Sequence, residues 1–274
     1  MNNKELQEIS KNIRINIIKM LSLAGSGHPG GSLSETDILV TLYFNHLKHN
    51  PKNPQWPQRD YVILSKGHAC VGLYAVLARA GYFPEEELWT LRKFGSRLQG
   101  HPAKDKGLPG IEISTGSLGQ GLSVGVGIAL GLKIDKKSNK VYVIMGCGEQ
   151  QEGSIWEAAM AAGYYKLDNL IGIIDYNKLQ IDGYNEEVMG IENIASKYTA
   201  FRWNTIEING HNYDELNYAF DKAKNYKGKP TVIIAHTIKG KGVNFMENLA
   251  EWHGKAPNQQ QTEQAIKQIK ENYE

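Results

Sequence analysis

Residues 141–183 read VYVIMGCGEQQEGSIWEAAMAAGYYKLDNLIGIIDYNKLQIDG. Val141 to Met145 is a short run rich in β-branched residues, and Leu170 to Asp175 is a second apolar run of strand length. Between them, Ser154 with Glu157 three positions on reads as a capping box, which predicts a helix over Ser154 to Tyr165. Strand, helix and strand in this spacing form one βαβ unit. A right-handed crossover makes the strands parallel and brings the loops at Gly146 to Glu149 and at Tyr176 to Gly183 to one sheet edge, where α/β proteins bind ligands.

Gly146 and Gly148 flank a single residue, so backbone N–H groups there can approach a phosphate closely. The side-chain amide of Asn177 reaches a metal ion or phosphate oxygen from the neighbouring loop. Together the loops predict a clamp for a diphosphate and its metal. A dinucleotide fingerprint would need glycine at Gln151, and a P-loop would need Gly-Lys-Ser/Thr where Gly153, Ser154 and Ile155 stand, so neither applies.

The chain has 274 residues, 41% apolar, enough for one large α/β domain over residues 1–274. A formal charge of +2, with both signs interspersed, argues against nucleic-acid and anionic-membrane partners. Cys70 and Cys147 are the only cysteines, and no signal peptide or long apolar span is present, so a reducing cytoplasmic location without disulfides is expected.

Outward from the central unit, Leu6, Ile9, Ile13, Ile17, Met20 and Leu21 recur at helical spacing and predict a helix ending at Ala24. The glycine-rich loop Gly25 to Gly31 follows and carries His28. Ser34 with Asp37 predicts a second helix to about Leu47, and Tyr61 to Leu64 is the first strand. That strand empties into Ser65-Lys66-Gly67-His68 before a helix over Ala69 to Ala80, placing His68 at the ligand edge. Pro84 opens a predicted helix through Phe94, and Gly95 to Gly110 is a long loop containing His101. In the helix after Ser114 to Gly121, Gly121, Gly125 and Ala129 share a face small enough for close backbone contact, within the domain or with a second copy. Asn204 to Ile208 and Thr231 to Ala235 add two strands around a helix from Asp214 to Asn225, making at least five. The last strand leads to Lys239 and Lys241, interleaved with glycines in a way that suits a phosphate, and then to His253. A helix from Gln259 to about Ile269 follows.

The run Gly146-Cys147-Gly148-Glu149, then Gln151-Glu152-Gly153, then Asp175-Tyr176-Asn177 resembles the thiamine diphosphate motif of transketolases. Ser26-Gly27-His28-Pro29-Gly30, Ser65-Lys66-Gly67-His68-Ala69, Gly100-His101-Pro102, Thr115 to Gly121 and His253-Gly254 match that family in order, so the resemblance covers nearly the whole chain. It implies a parallel sheet of at least five strands flanked by helices on both faces. It also implies that His68, Gly116, Ser117, Leu118, Gly148, Glu149, Asn177, Lys239 and His253 bind thiamine diphosphate, and that His28, His101 and His253 face the sugar. Glu152 and Glu157 match carboxylates that in the family link protons at the subunit interface.

By the same resemblance the metal, normally Mg2+, is held by Asn177, the Leu179 carbonyl and an aspartate between the glycines. Cys147 stands in that aspartate's place, and a thiol is a poor ligand for magnesium. A weaker metal site, a softer metal and impaired cofactor binding all remain open at this point. Whole transketolases continue into pyrimidine-binding and C-terminal domains, which are expected here on a partner subunit. The chain thus resembles the N-terminal subunit of a split transketolase. It is expected to pair with a C-terminal subunit in an α2β2 complex and to move a two-carbon ketol unit between sugar phosphates. The alternatives are a non-catalytic module and a related enzyme with another ketose.

Overall fold

In the computed structural model, which describes residues 1–272, the apolar runs become five strands. They are β1 Tyr61–Leu64, β2 Val141–Gly146, β3 Leu170–Tyr176, β4 Asn204–Asn209 and β5 Thr231–His236. All pair in parallel in the order β1-β2-β3-β5-β4. The register sets Gly146 beside Asp175 and Tyr176 beside His236, so the central strands end level. The loops leaving them therefore open on one rim.

The α-helices are α1 Asn3–Ala24, α2 Pro29–Ser34, α3 Thr36–Thr41, α4 Cys70–Arg79, α5 Gln120–Ile134, α6 Gly153–Tyr164, α7 Asn185–Met189, α8 Ile194–Ala200, α9 Tyr213–Asn225 and α10 Gln259–Glu271. Alternation along the strands builds a core on each face. Tyr142 and Ile144 pack with Ile13, Ile17 and Leu21 of α1, whereas Val141, Val143 and Met145 pack with Ile155 and Ala159 of α6. Helices thus cover both faces of the parallel sheet, as expected.

Four local readings are corrected. Helix α6 begins at Gly153 with Glu152 at its N-cap and no side-chain cap, because a tight turn over Gly148–Gln151 delivers the chain straight into it. The Ser34 and Asp37 pair caps nothing: Pro29 at the first helical position starts α2 earlier, and both side chains are drawn to distant partners. After Pro84 only a short 3-10 turn, Glu85–Thr90, forms, since Arg92 turns to φ 60° and its N–H donates to the Leu98 carbonyl. Lys241, read with Lys239 as suiting a phosphate, instead lies 3.6 Å from the Glu247 carboxylate and away from the cavity described below. Of the two options for the small face of α5, the internal one holds: a Cβ on Gly121 would clash with Ser65 Oγ, and one on Gly125 would meet Val143 at 2.5 Å.

Candidate active site

At the rim where β1, β2, β3 and β5 end, a cavity of about 340 Å³ opens. Lys66 and His68 wall it from the loop after β1, Gly146 to Glu149 from the end of β2 and the loop after it, Asn177, Leu179, Gln180 and Ile181 from the loop after β3, and Lys239 and His253 from the segment after β5. Gly31, Leu118, Gln151 and Glu152 complete the wall.

Beneath it lies a buried charge cluster. The Lys66 ammonium is 2.6 Å from Asp175 Oδ2 and 2.8 Å from Glu35 Oε2, and it donates to the Gly31 carbonyl. Asp175 also accepts from Ser34 Oγ at 2.5 Å, from Asn177 Nδ2 at 3.2 Å and from Thr237 Oγ1. Burial raises the Asp175 pKa, but the Lys66 charge and these hydrogen bonds prevail and hold it below the usual range. For Glu35 burial prevails over Lys66 and pushes the pKa up to about 8. Glu35 therefore holds its proton near neutrality.

A raised folded-state pKa means that the folded chain binds the extra proton between about 4.5 and about 8. This contribution to stability is fully present below the lower value and is lost as pH rises through the upper one. Glu35→Gln is expected to abolish that slope, and urea denaturation at pH 5 and pH 8 measures it. Parallel losses in wild type and variant across this interval would show that Glu35 is already ionised.

Four imidazoles gather above the cluster. The His28 ring centroid is 5.2 Å from His68, 5.5 Å from His253 and 6.3 Å from His101, and His68 stacks on His253 at 5.0 Å. Gly116, at φ 134°, allows the close packing of His101, since a Cβ there would meet the ring at 2.7 Å. Burial, then neighbouring positive groups, lowers the pKa of His28 to about 4, His253 to about 3 and His68 to about 2, and that of His101 also falls. At neutral pH the rings are uncharged, so each carries one N–H donor and one acceptor nitrogen.

Lys239 joins this group to the loop after β3. Its ammonium donates to the Leu179 carbonyl at 3.0 Å and lies 2.9 Å from His253 Nδ1. Its stem packs on the backbone of α2, where a Cβ on Gly30 would meet Lys239 Cγ at 2.9 Å. Burial lowers its pKa to about 8, with the Asp175 charge opposing that shift. Among the described residues the ammonium faces no carboxylate in an ion pair, which makes it a wall cation suited to an anionic ligand.

Glu149 is buried and accepts from Ser65 Oγ, the Gly119 N–H at 2.8 Å and the Gly146 N–H at 2.9 Å. Burial nevertheless leaves its pKa raised. It ties together the loops before α5 and after β1 and β2. Glu152 is exposed at the mouth.

The donors expected to hold a metal are all neutral. Asn177 Oδ1 accepts the Leu179 N–H at 3.1 Å and lies 3.8 Å from Cys147 Sγ, while the Leu179 carbonyl receives Lys239. Burial and the Asp175 charge push the Cys147 thiol up, keeping it protonated. Among the described residues no group of three or more His, Cys, Asp or Glu is placed to bind a metal. The wall thus fits a diphosphate through Lys239, His68 and the Gly148 backbone, but offers a divalent cation no anionic ligand.

The structure brings His68, Leu118, Cys147, Gly148, Glu149, Glu152, Asn177, Leu179, Lys239 and His253 to this cavity, with His28 and His101 in ring contact at its edge. Gly116 supports His101 from outside the wall, and Ser117 is exposed and not part of it. Lys66, Glu35, Gln180 and Asn185 had no role assigned from the sequence. A lysine at the end of an apolar strand was the available signal for Lys66, which is 2% exposed.

Residues 6–273 match the family described as "Transketolase, thiamine diphosphate binding domain". The chain is 45% identical over 270 residues to an apulose-4-phosphate transketolase subunit of Phocaeicola vulgatus, covering 98% of this chain and 95% of that one. It is 47% identical over 252 residues to the 6-deoxy-6-sulfo-D-fructose transketolase subunit SqwG of Clostridium sp. strain MSTE9, covering 90% and 91% respectively. A crystal structure of transketolase from Campylobacter jejuni superposes with a TM-score of 0.93 at 38% identity, over 98% of this chain but 43% of that one. The chain thus spans nearly the whole of the two subunit relatives and less than half of that transketolase.

Proposed function

The chain belongs to the transketolase family through its thiamine diphosphate-binding domain, and from that premise we propose that it is the diphosphate-binding subunit of a two-subunit transketolase. The reaction is transfer of a two-carbon ketol unit from a ketose phosphate to an aldose phosphate. The partner is a C-terminal transketolase subunit carrying the pyrimidine-binding half, assembled as two copies of each chain. The cation is magnesium or another divalent ion, and the location is cytoplasmic. Both thiols are free and buried, in keeping with a reducing compartment, and among the described residues no helix is long and apolar enough to cross a membrane.

Thiamine diphosphate, when bound, supplies the carbanion chemistry at the ketose carbonyl. In this reading Lys239, His68 and the Gly148 N–H hold the diphosphate, with Leu118 and Asn177 on either side. His28, His101 and His253, uncharged at neutral pH, give protons to and take them from the sugar oxygens. Glu149 keeps the wall assembled rather than titrating, and Glu152 lies at the mouth for contact with a partner chain.

The observation that carries this reading is the meeting of Gly148, Asn177, Lys239, His68 and His253, from the segments after four different strands, around one cavity. The test mixes the purified chain with its partner subunit, thiamine diphosphate and a divalent cation. Apulose 4-phosphate, 6-deoxy-6-sulfofructose and common ketose phosphates serve as donors, with an aldose phosphate as acceptor. Turnover is expected only in the mixture. A stable complex that binds the cofactor yet moves no ketol unit from any donor would point to a non-catalytic module instead.

A further inference from the structure

This inference rests on the reading that the cavity is a ketol-transfer site with His101 facing the sugar. Residues 99–101 belong to no strand or helix, so their backbone carbonyls have to be satisfied from outside any ladder. All three find their donors on one face of α4. Tyr74 Oη lies 3.1 Å from the Gln99 carbonyl oxygen and 3.1 Å from that of His101, and Cys70 Sγ donates to the Gly100 carbonyl at 3.3 Å. Cys70 and Tyr74 stand one helical turn apart, so their side chains share that face, and both residues are 0% exposed.

The stretch is tied on every side of the ring it carries. A Cβ on Gly100 would meet Arg92 Cζ at 2.9 Å, one on Gly116 would meet the His101 ring, and the Pro102 carbonyl accepts the Thr115 N–H at 3.1 Å. Helix α4 also follows directly on the turn Gly67–Ala69 that carries His68. One helix therefore sets His68 at its start and the His101 backbone along its side. A phenylalanine ring would fill the same core space at position 74, so what the tyrosine hydroxyl adds is the hold on this loop.

We propose that Tyr74, seconded by Cys70, is a positioning residue for His101: hydroxyl and thiol hold the backbone from Gln99 to His101 so that the imidazole stays at the sugar edge of the cavity. Neither side chain lines the cavity, so both act through the ring of His101.

The test uses the full chain in complex with its partner subunit. Tyr74→Phe is expected to lower kcat by about tenfold to a hundredfold, the scale of a 1 Å misplacement, while calorimetry finds thiamine diphosphate affinity unchanged. In a His101→Ala background the same substitution is expected to cost less than about twofold, because the group it positions is gone. Nuclear magnetic resonance of the histidine-labelled chain gives a readout independent of turnover. Burial, then the Arg92 charge, holds His101 below the usual imidazole range; with the hydroxyl removed the ring is expected to titrate closer to that range, while His68 and His253 stay unmoved. Should Tyr74→Phe fail to fold, Cys70→Ala frees the Gly100 carbonyl and is read through the same His101 titration. An unmoved His101 titration, or a rate loss as large in the His101→Ala background as in wild type, overturns the proposal and leaves the ketol-transfer reading intact. A wild-type complex that binds the cofactor and turns over no donor removes that reading, and the His101 titration then decides the positioning role alone.

Discussion

Asp37→Ala is expected to cost about 3–5 kcal/mol of folding stability, because it removes the carboxylate of a buried, doubly hydrogen-bonded ion pair. Arg14 is 0% exposed and makes two 2.8 Å hydrogen bonds to the Asp37 carboxylate. The same carboxylate accepts from Tyr213 Oη and lies 2.8 Å from His211 Nδ1, so α1, α3, α9 and the turn before α9 meet at one anion. Arg14 also donates to the carbonyls of Leu33 and Lys241, which carry no charge. Burial raises the Asp37 pKa, and Arg14 and His211 more than reverse this, setting it well below the usual carboxylate range. For a depressed carboxyl the stabilisation is present above the unfolded value of about 3.8 and is lost only as pH falls through the folded one. The pair is therefore expected to survive mild acid. Equilibrium urea unfolding measures the loss, and a change below about 1 kcal/mol, the range of exposed pairs, would show that the cluster is not truly desolvated.

Lys239→Met should abolish tight thiamine diphosphate binding. The substitution keeps an unbranched stem against Gly30 and removes the ammonium that sits against the Leu179 carbonyl and His253 on the cavity wall. Losing one partner of a buried charge contact costs about 2–5 kcal/mol, or roughly thirtyfold to several thousandfold in affinity. Calorimetric titration of the assembled protein reads the change directly. The pH dependence provides a second signature: an anion binds the protonated amine, whose pKa is about 8, so affinity falls as pH rises above that value. Wild-type affinity that stays flat through pH 9, or a variant that binds as tightly, would remove Lys239 from the phosphate wall.

The strands, the rim and the convergence of its loops were legible in the sequence because they follow from local signals. Apolar runs at Val141, Leu170 and Thr231 set the sheet, and glycines mark the turns at its edge. Parallel pairing then forces those turns together. The buried polar network was not legible, for a reason visible at Ser34 and Asp37. Their spacing matches a capping box, a rule about partners within four residues. The actual partners are Asp175, 141 positions away, and Arg14, 23 positions away. Asp175 looked like the tail of an apolar strand, and only the register beside Gly146 reveals it as the anion that receives Lys66.

The brace at Glu149 bears on how a ligand would be received. Because one carboxylate fixes the turns at Gly119 and Gly146 to Ser65 of the strand-end segment, half of the enclosure is already rigid before anything arrives. The ordering entropy of that half is incurred during folding and not at association, which favours tight capture by the free protein. Adjustment on encounter is then left to the opposite side, the stretch from Gln180 to Met189, where Ile181, Tyr184, Val188 and Met189 expose apolar surface.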